Sequence, residues 1–561
     1  MKVIRGNTLY SLVIGASALG CAGAAMAAAP AQSAPAQASA ETVKEFPTSL
    51  RLSSSQYKQS IADIFGSSIE VNGRFEPEQR DHGLLAIGAR TTNVTDGGVQ
   101  AFDEIAMQVS AEVVDPEHRA ALLGCKPRSE KSRDDKCARS FFSRVGPLLY
   151  RRPLERSELD EVVQAAGLGA DKLHDFYSGV RLSLAGMLIS PEFLLRLKKM
   201  EPDPAHPGRE RIDAYSKATA LSYFLWNTTP DQELMDAAKS GELNKPAGLE
   251  KQVDRLLASP RVADGVRAFF ADMLGFSEFE HVSKEAAFFP NFTSTIKQQA
   301  QEQTLRTIVD HVVNQHRDYR DLLTTPDTFL TLDLAALYNV PLVDKTDNGQ
   351  PQRWIKYTYP EGDARSGLLA QASFTTLWSP AGRTSPTGRG KALRELILCQ
   401  AVPPPGNVSF QFVDDTSNPN LKTTRERITA HRSEAMCAGC HKLTDPQGLA
   451  LENFDSAGQL RTKENGVTID ASGEFNGIKF DGPYGLAKAV RADPALTSCV
   501  AQRAFEYETG YTPPKNDPQW KQIQQGFANS KYDVLALMRQ IALSDLSYTS
   551  PSETLTAAAG N

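Results

Sequence analysis

Cys437-Ala438-Gly439-Cys440-His441 sets two thiols three residues apart and an imidazole directly after the second. C-x-x-C-H is the attachment signature of a c-type haem, in which the thiols add to the porphyrin vinyl groups and the histidine takes the iron. Cys437 and Cys440 are therefore the expected covalent anchors of one haem c, and His441 its proximal axial ligand. A C-x-x-C disulfide without haem and a partial zinc site are the other readings of the same residues. Zinc would need further thiol or imidazole ligands at suitable spacing, and none is evident.

The distal position is less defined. A methionine there raises the potential, a histidine lowers it, and a vacant site admits ligand chemistry. Downstream of the motif the chain has a single methionine, Met538, and no histidine. Met538 lies in an apolar helical run, Asp533 to Ile541, where methionine serves as core filler or as the distal ligand. His431, just upstream, reads as a second-shell residue or a distal ligand; Met436 shares its proximal-side geometry.

The elements around the motif must position it. A helix beginning at Thr424-Arg425-Glu426-Arg427 is expected to run through Ile428, His431 and Met436 and to carry Cys437 near its end. Asp445-Pro446 is expected to break it. The apolar positions of Gly448 to Asp455 would then cover a porphyrin edge. Gly382 to Gly390 lacks the strand-then-helix pattern of a phosphate loop, and its arginines, Arg383 and Arg389, either pair with haem propionates or sit in a solvated turn. No G-x-S-x-G, H-E-x-x-H or Walker sequence is present, and Asp134-Asp135 and Asp414-Asp415 read as solvated turns.

Compartment bears on the motif. Lys2 and Arg5, the apolar run Thr8 to Gly20 and Ala25-Met26-Ala27 form a secretory signal peptide over 1–27, so the mature chain is expected to be periplasmic or secreted. Acylation of Cys21 as a lipoprotein fits less well, because Ala18 stands where a lipobox carries leucine. Residues 28–48 include an Ala/Pro/Ser/Gln linker. No later apolar run reaches the roughly 18 residues that span a bilayer, so no transmembrane segment is expected.

Six cysteines follow Cys21. With the haem pair set aside, four remain for an exported protein to oxidise. Cys125 pairs with nearby Cys137, and Cys399 with Cys499 by elimination; free buried thiols are the alternative. A net charge of -6 and pI near 5.9 argue against a nucleic-acid partner. The 561-residue length suggests roughly three or four domains.

Apolar spacing predicts a mainly α, multidomain protein. Helices are expected over 52–66, 101–114, 137–150, from 157, and over 176–189, 214–226, 249–258, 262–274, 294–313 and 332–338. Strand signal is weak, with the best hairpin candidate at Gly466 to Asp481.

Several segments together carry a family resemblance. Arg51-Leu52, Gln56-Tyr57 and Asp63 to Gly66 resemble the opening domain of secreted bacterial proteins built from domains of unknown function 1587, 1595, 1592, 1588 and 1585, associated with planctomycete-type cytochrome c domains. Cys137-Ala138-Arg139, Tyr150 to Leu154 and Glu158 resemble the second. Ser190 to Leu194, Leu221 to Trp226 and Asp254 to Leu257 resemble the third. The fourth is the clearest, with Arg389-Gly390, Cys399, Pro403 to Pro405, Thr424 to Arg427, His431, the haem motif, Asp445-Pro446, Leu451 to Asp455, Gly458 and Arg461 in order. Phe480 to Gly482, Leu486, Cys499 and Tyr507 to Gly510 resemble the last. Thr444 replaces a usual methionine, and Tyr511 a usual arginine.

The expected organisation is a helical domain at 49–115, a small helical domain at 121–168, a central helical domain at 172–340, a cytochrome c-like haem-attachment domain at 360–470, a C-terminal helical domain at 478–549 and a tail at 550–561. The resemblance implies an exported, haem-bearing helical protein without naming a reaction. The expected function is single-electron transfer to a redox partner protein or an exported substrate-degrading enzyme. A haem enzyme of peroxidase or oxidase type with an open distal site, and a structural or binding protein whose C-x-x-C forms a disulfide, are the alternatives.

Overall fold

Capping residues fix where the helices begin and end. Ser53 accepts a hydrogen bond from the Gln56 backbone N–H while the Gln56 side chain accepts from the Ser53 N–H, a reciprocal cap that starts Ser54–Phe65. Gly66, at a φ of +96°, ends that helix. Asp134 caps Asp135–Tyr150 by accepting from the Cys137 N–H, so this half of the acidic pair Asp134-Asp135 is a structural cap rather than a solvated turn. The computed structural model describes residues 49–91, 94–204, 210–342, 353–403, 420–431 and 435–548. The leader, Cys21, the linker and the tail lie outside them, as do Asp414 and Asp415.

The expected helices appear as Ser54–Phe65, Asp96–Val114, Asp135–Tyr150, Arg156–Leu173, Phe176–Leu188, Ala214–Trp226, Pro246–Ala258, Val262–Met273, Ser294–Val309 and Leu332–Leu337. Among the described residues, strands occur only as short antiparallel pairs. Ser472–Phe475 pairs with Ile478–Asp481 across Asn476-Gly477, both at positive φ, which is the dipeptide a two-residue hairpin turn favours. Asn465-Gly466 repeats the device between Lys463–Glu464 and Val467–Thr468.

Buried apolar side chains fall into two cores within the compact unit that starts at Pro47. The first runs from Tyr57 to Leu194, with Phe102, Phe141, Phe142 and Leu184 at its centre. It includes the packed hairpin of Arg156–Leu173 and Phe176–Leu188. The boundary expected between 168 and 172 therefore lies inside this core. The hairpin is tight because a side chain at Gly179 would overlap the Ala166 carbonyl and Ala170.

The second core begins with Leu84 and Ile87, resumes at Ile212 and continues to Tyr548. It joins the helices Ala214–Trp226, Val262–Met273, Ser294–Val309, Pro494–Thr509 and Val534–Leu543. Leu50–Arg51 pairs with Leu195–Arg196, and Arg196 meets Glu508 at 3.2 Å, tying the first core to the C-terminal helices. Two disulfides are formed: Cys125–Cys137 closes local structure, whereas Cys399–Cys499 links positions 100 residues apart. No described helix is long and apolar enough to cross a membrane.

Candidate haem-attachment site

The motif is carried by one helix, Ala435–Ala450. At about 100° per residue, positions 437, 440 and 441 fall within one third of its circumference, so the sequence spacing becomes a shared face. This differs from the expected arrangement in one respect: helix is described at the expected start, Thr424–His431, but the motif helix continues past Cys437 to Ala450, so the motif does not stand near the end of a helix. Pro446 lies inside the helix and does not end it. The hydrogen bond that proline omits is the one to the Lys442 carbonyl, and Lys442 is exposed to water there.

A short helix, Pro386–Ala392, packs directly against the motif helix. Ser385 caps it, with Pro386 in the first turn, where a missing N–H costs nothing. The two backbones approach so closely that a Cβ at Gly390 would overlap the Thr444 carbonyl, and one at Gly448 the Pro386 carbonyl. Glycine at both positions is what permits this contact.

That approach organises the polar groups around the imidazole. His441 Nδ1 lies 2.9 Å from Asp445 Oδ2 and 3.1 Å from Oδ1, one helical turn along. Asp445 is fully buried, whereas the His441 side chain keeps 17 % of its surface. Thr387, from the abutting helix, donates its hydroxyl proton to Asp445 Oδ1 at 2.9 Å. Cys440 is a free thiol, and its Sγ–H donates to the Pro403 carbonyl at 3.2 Å. Gly439 faces open space. The side chains of Cys437, His431 and Met436 lie outside the described residues.

Arg389 corrects the expected propionate role. It is completely buried. Its guanidinium donates to the carbonyls of Leu451, Phe454 and Asp455 at 2.8, 2.8 and 2.7 Å and to Thr375 O at 3.0 Å, with Glu452 3.5 Å away. Burial pushes its pKa down to about 10. The expected solvated turn is likewise replaced by a capped helix, and only Arg383 of the two arginines is exposed.

The expected porphyrin cover is also redirected. Leu449, Ala450, Leu451 and Phe454 are buried against protein, because Gly448 seats the end of the motif helix on the Pro386 backbone and Arg389 gathers the carbonyls that follow. Glu452 bonds Arg461 at 2.8 Å and Thr384 at 2.7 Å, and burial raises its pKa.

Met538 is fully buried in Val534–Leu543, which packs on Pro518–Asn529, Pro246–Ala258 and Pro494–Thr509. The motif helix packs instead on Pro386–Ala392, Ser472–Phe475 and Gly482–Arg491. Met538 and His441 thus belong to different packing neighbourhoods. Among the described residues no three His, Cys, Asp or Glu side chains converge as a metal cluster.

The donor set fits a haem c in the respects the structure shows. Cys440 carries a free thiol, His441 shares its helical face, and buried Asp445 engages Nδ1, so Nε2 is the ring nitrogen that would take a haem iron. Asp445 and Thr387 were missed in the sequence. The i, i+4 spacing of His441 and Asp445 is the available signal, hidden by reading Pro446 as a helix end; Thr387 is joined to them only by tertiary packing.

Four stretches match family models, in chain order. Residues 137–197 match protein of unknown function (DUF1595), 212–340 match DUF1592, 365–464 match DUF1588 and 476–546 match DUF1585. The chain belongs to the family assembled from these planctomycete cytochrome c-associated domains. No curated protein and no solved structure matches it.

Cys399 and the C-x-x-C-H motif lie within the DUF1588 match and Cys499 within the DUF1585 match, so the Cys399–Cys499 disulfide joins two family domains covalently. The four matches begin at Cys137 and leave the DUF1587-like opening at Arg51 to Gly66 as a resemblance. At the family departures, the Thr444 hydroxyl donates to the Cys440 carbonyl at 3.1 Å, and the Tyr511 ring lies under the Arg90 guanidinium at 4.3 Å.

Proposed function

We propose that the protein is an exported c-type cytochrome that carries single electrons through one haem, covalently held by Cys437 and Cys440 with His441 as proximal ligand. The observation that carries this reading is the pairing of a free Cys440 thiol with a His441 ring whose Nδ1 is engaged by buried Asp445. The cytochrome c-associated family supports it. Bound haem would supply the one-electron couple; the chain's part is to anchor it, orient the imidazole and connect the site through Arg389 and Cys399–Cys499 to the helical bulk. The helical region Arg51 to Tyr338 would dock the redox partner or exported enzyme.

The packing of Met538 away from the motif helix keeps the haem-enzyme alternative in play, because it removes the sequence's thioether candidate from the motif's neighbourhood.

Protein matured in a periplasm equipped for haem attachment is expected to show a c-type pyridine haemochrome α band, lost in Cys440→Ala. Absence of the band in the parent protein ends the haem reading. A rapid spectral shift of the reduced protein with carbon monoxide would favour the enzyme over a six-coordinate carrier.

A further inference from the structure

We propose that Asp445 and Thr387 are positioning residues that fix the His441 tautomer and strengthen Nε2 as an electron donor, holding a haem at this site toward the low end of the potentials open to histidine-ligated iron. This rests on the haem reading above, but concerns residues that the attachment motif does not include.

An ionised carboxylate only accepts hydrogen bonds. With both Asp445 oxygens within 3.1 Å of Nδ1, the ring proton belongs on Nδ1 and the lone pair on Nε2. Asp445 is fully buried, so no water competes with the ring for its oxygens. Hydrogen bonding to a carboxylate raises the basicity of a ligating imidazole more than a neutral carbonyl does, because the acceptor carries a full negative charge. A more basic donor stabilises the ferric over the ferrous state.

Thr387 fixes the carboxylate in turn. Its hydroxyl donates to Asp445 Oδ1 at 2.9 Å and lies 3.4 Å from His441 Nδ1. It reaches them from a different helix, across the contact that Gly390 and Gly448 allow. Thr444 Oγ1 is also near Oδ1, at 3.3 Å, while donating to the Cys440 carbonyl.

The test compares matured Asp445→Asn, Thr387→Val and Thr387→Ser with the parent. Potentiometric titration is expected to show the midpoint shifted upward in Asp445→Asn, upward by less in Thr387→Val, and returned to the parent value in Thr387→Ser. Nitrogen NMR of ¹⁵N-histidine-labelled apoprotein is expected to show the Nδ1–H tautomer for His441 in the parent and a shift toward Nε2–H in Asp445→Asn, since a neutral amide can donate to Nδ1. Thr387→Val preserves volume and decides the matter should Asp445→Asn fail to fold. Unchanged midpoint and unchanged tautomer in the folded variants overturn the proposal while leaving haem attachment standing. If the parent binds no haem, the functional reading fails, and the apoprotein tautomers alone decide the roles of Asp445 and Thr387.

Discussion

Arg389 shows how one side chain supports the site without touching the motif. It fastens the carbonyls after the motif helix to Thr375 and to the start of the abutting helix. Arg389→Ala would strand those acceptors and leave Glu452 to Arg461 and Thr384 alone, and is expected to cost about 3–5 kcal/mol in urea unfolding. Arg389→Lys should recover little, since one ammonium cannot replace a planar fork serving several carbonyls. The C-x-x-C-H motif itself was visible in the sequence because it is written in consecutive residues. Arg389 was not: its role depends on burial created by segments up to 66 positions away. Asp445 lay between, its spacing visible and its meaning masked by the proline beside it.

At the level of elements, the contact between Pro386–Ala392 and Ala435–Ala450 is the piece most sensitive to volume. Gly390→Ala and Gly448→Ala each add one methyl where a backbone carbonyl already sits. Each is expected to lower stability by about 1–3 kcal/mol, read as a reduced urea midpoint at constant m-value. Ala at Gly439, which faces open space, should leave it unchanged. Helix positions were readable from apolar period, as over 52–66, and a hairpin within Gly466 to Asp481 from its Thr/Gly/Asn-rich run, whereas the cap at Asp134 was not, because an Asp-Asp pair reads equally as a solvated turn. The helix through Pro446 was not readable, since its tolerance depends on an exposed Lys442 and a neighbouring helix.

Across the whole molecule, Glu508 joins the first core to the C-terminal helices through Arg196. Burial outweighs that pairing and raises the Glu508 pKa from 4.5 to about 7. Between those values the folded state holds a proton that the unfolded state has released, so this group's stabilising contribution declines as pH rises from 4.5 through 7. Melting temperatures measured from pH 5 to pH 8 should show that decline, and Glu508→Gln should flatten it. Division of one compact unit into two cores was not legible in the sequence, where linkers and family boundaries suggest a longer string of domains. The Cys399–Cys499 bond closes a loop of 100 residues, and its loss in Cys399→Ser/Cys499→Ser should cost about 4–5 kcal/mol in chemical unfolding.

The placement of that bond also sets a problem of timing. A chain that enters an oxidising compartment N-terminus first presents Cys399, then Cys437 and Cys440, and only afterwards Cys499. An oxidase pairing thiols as they emerge would join the wrong partners. On the haem reading proposed above, capture of the middle two by porphyrin before Cys499 arrives would remove the competitors and leave the native pair. Haem loading would then act as a proofreading step for the disulfide, and export from haem-starved cells should yield shuffled bonds on non-reducing gels.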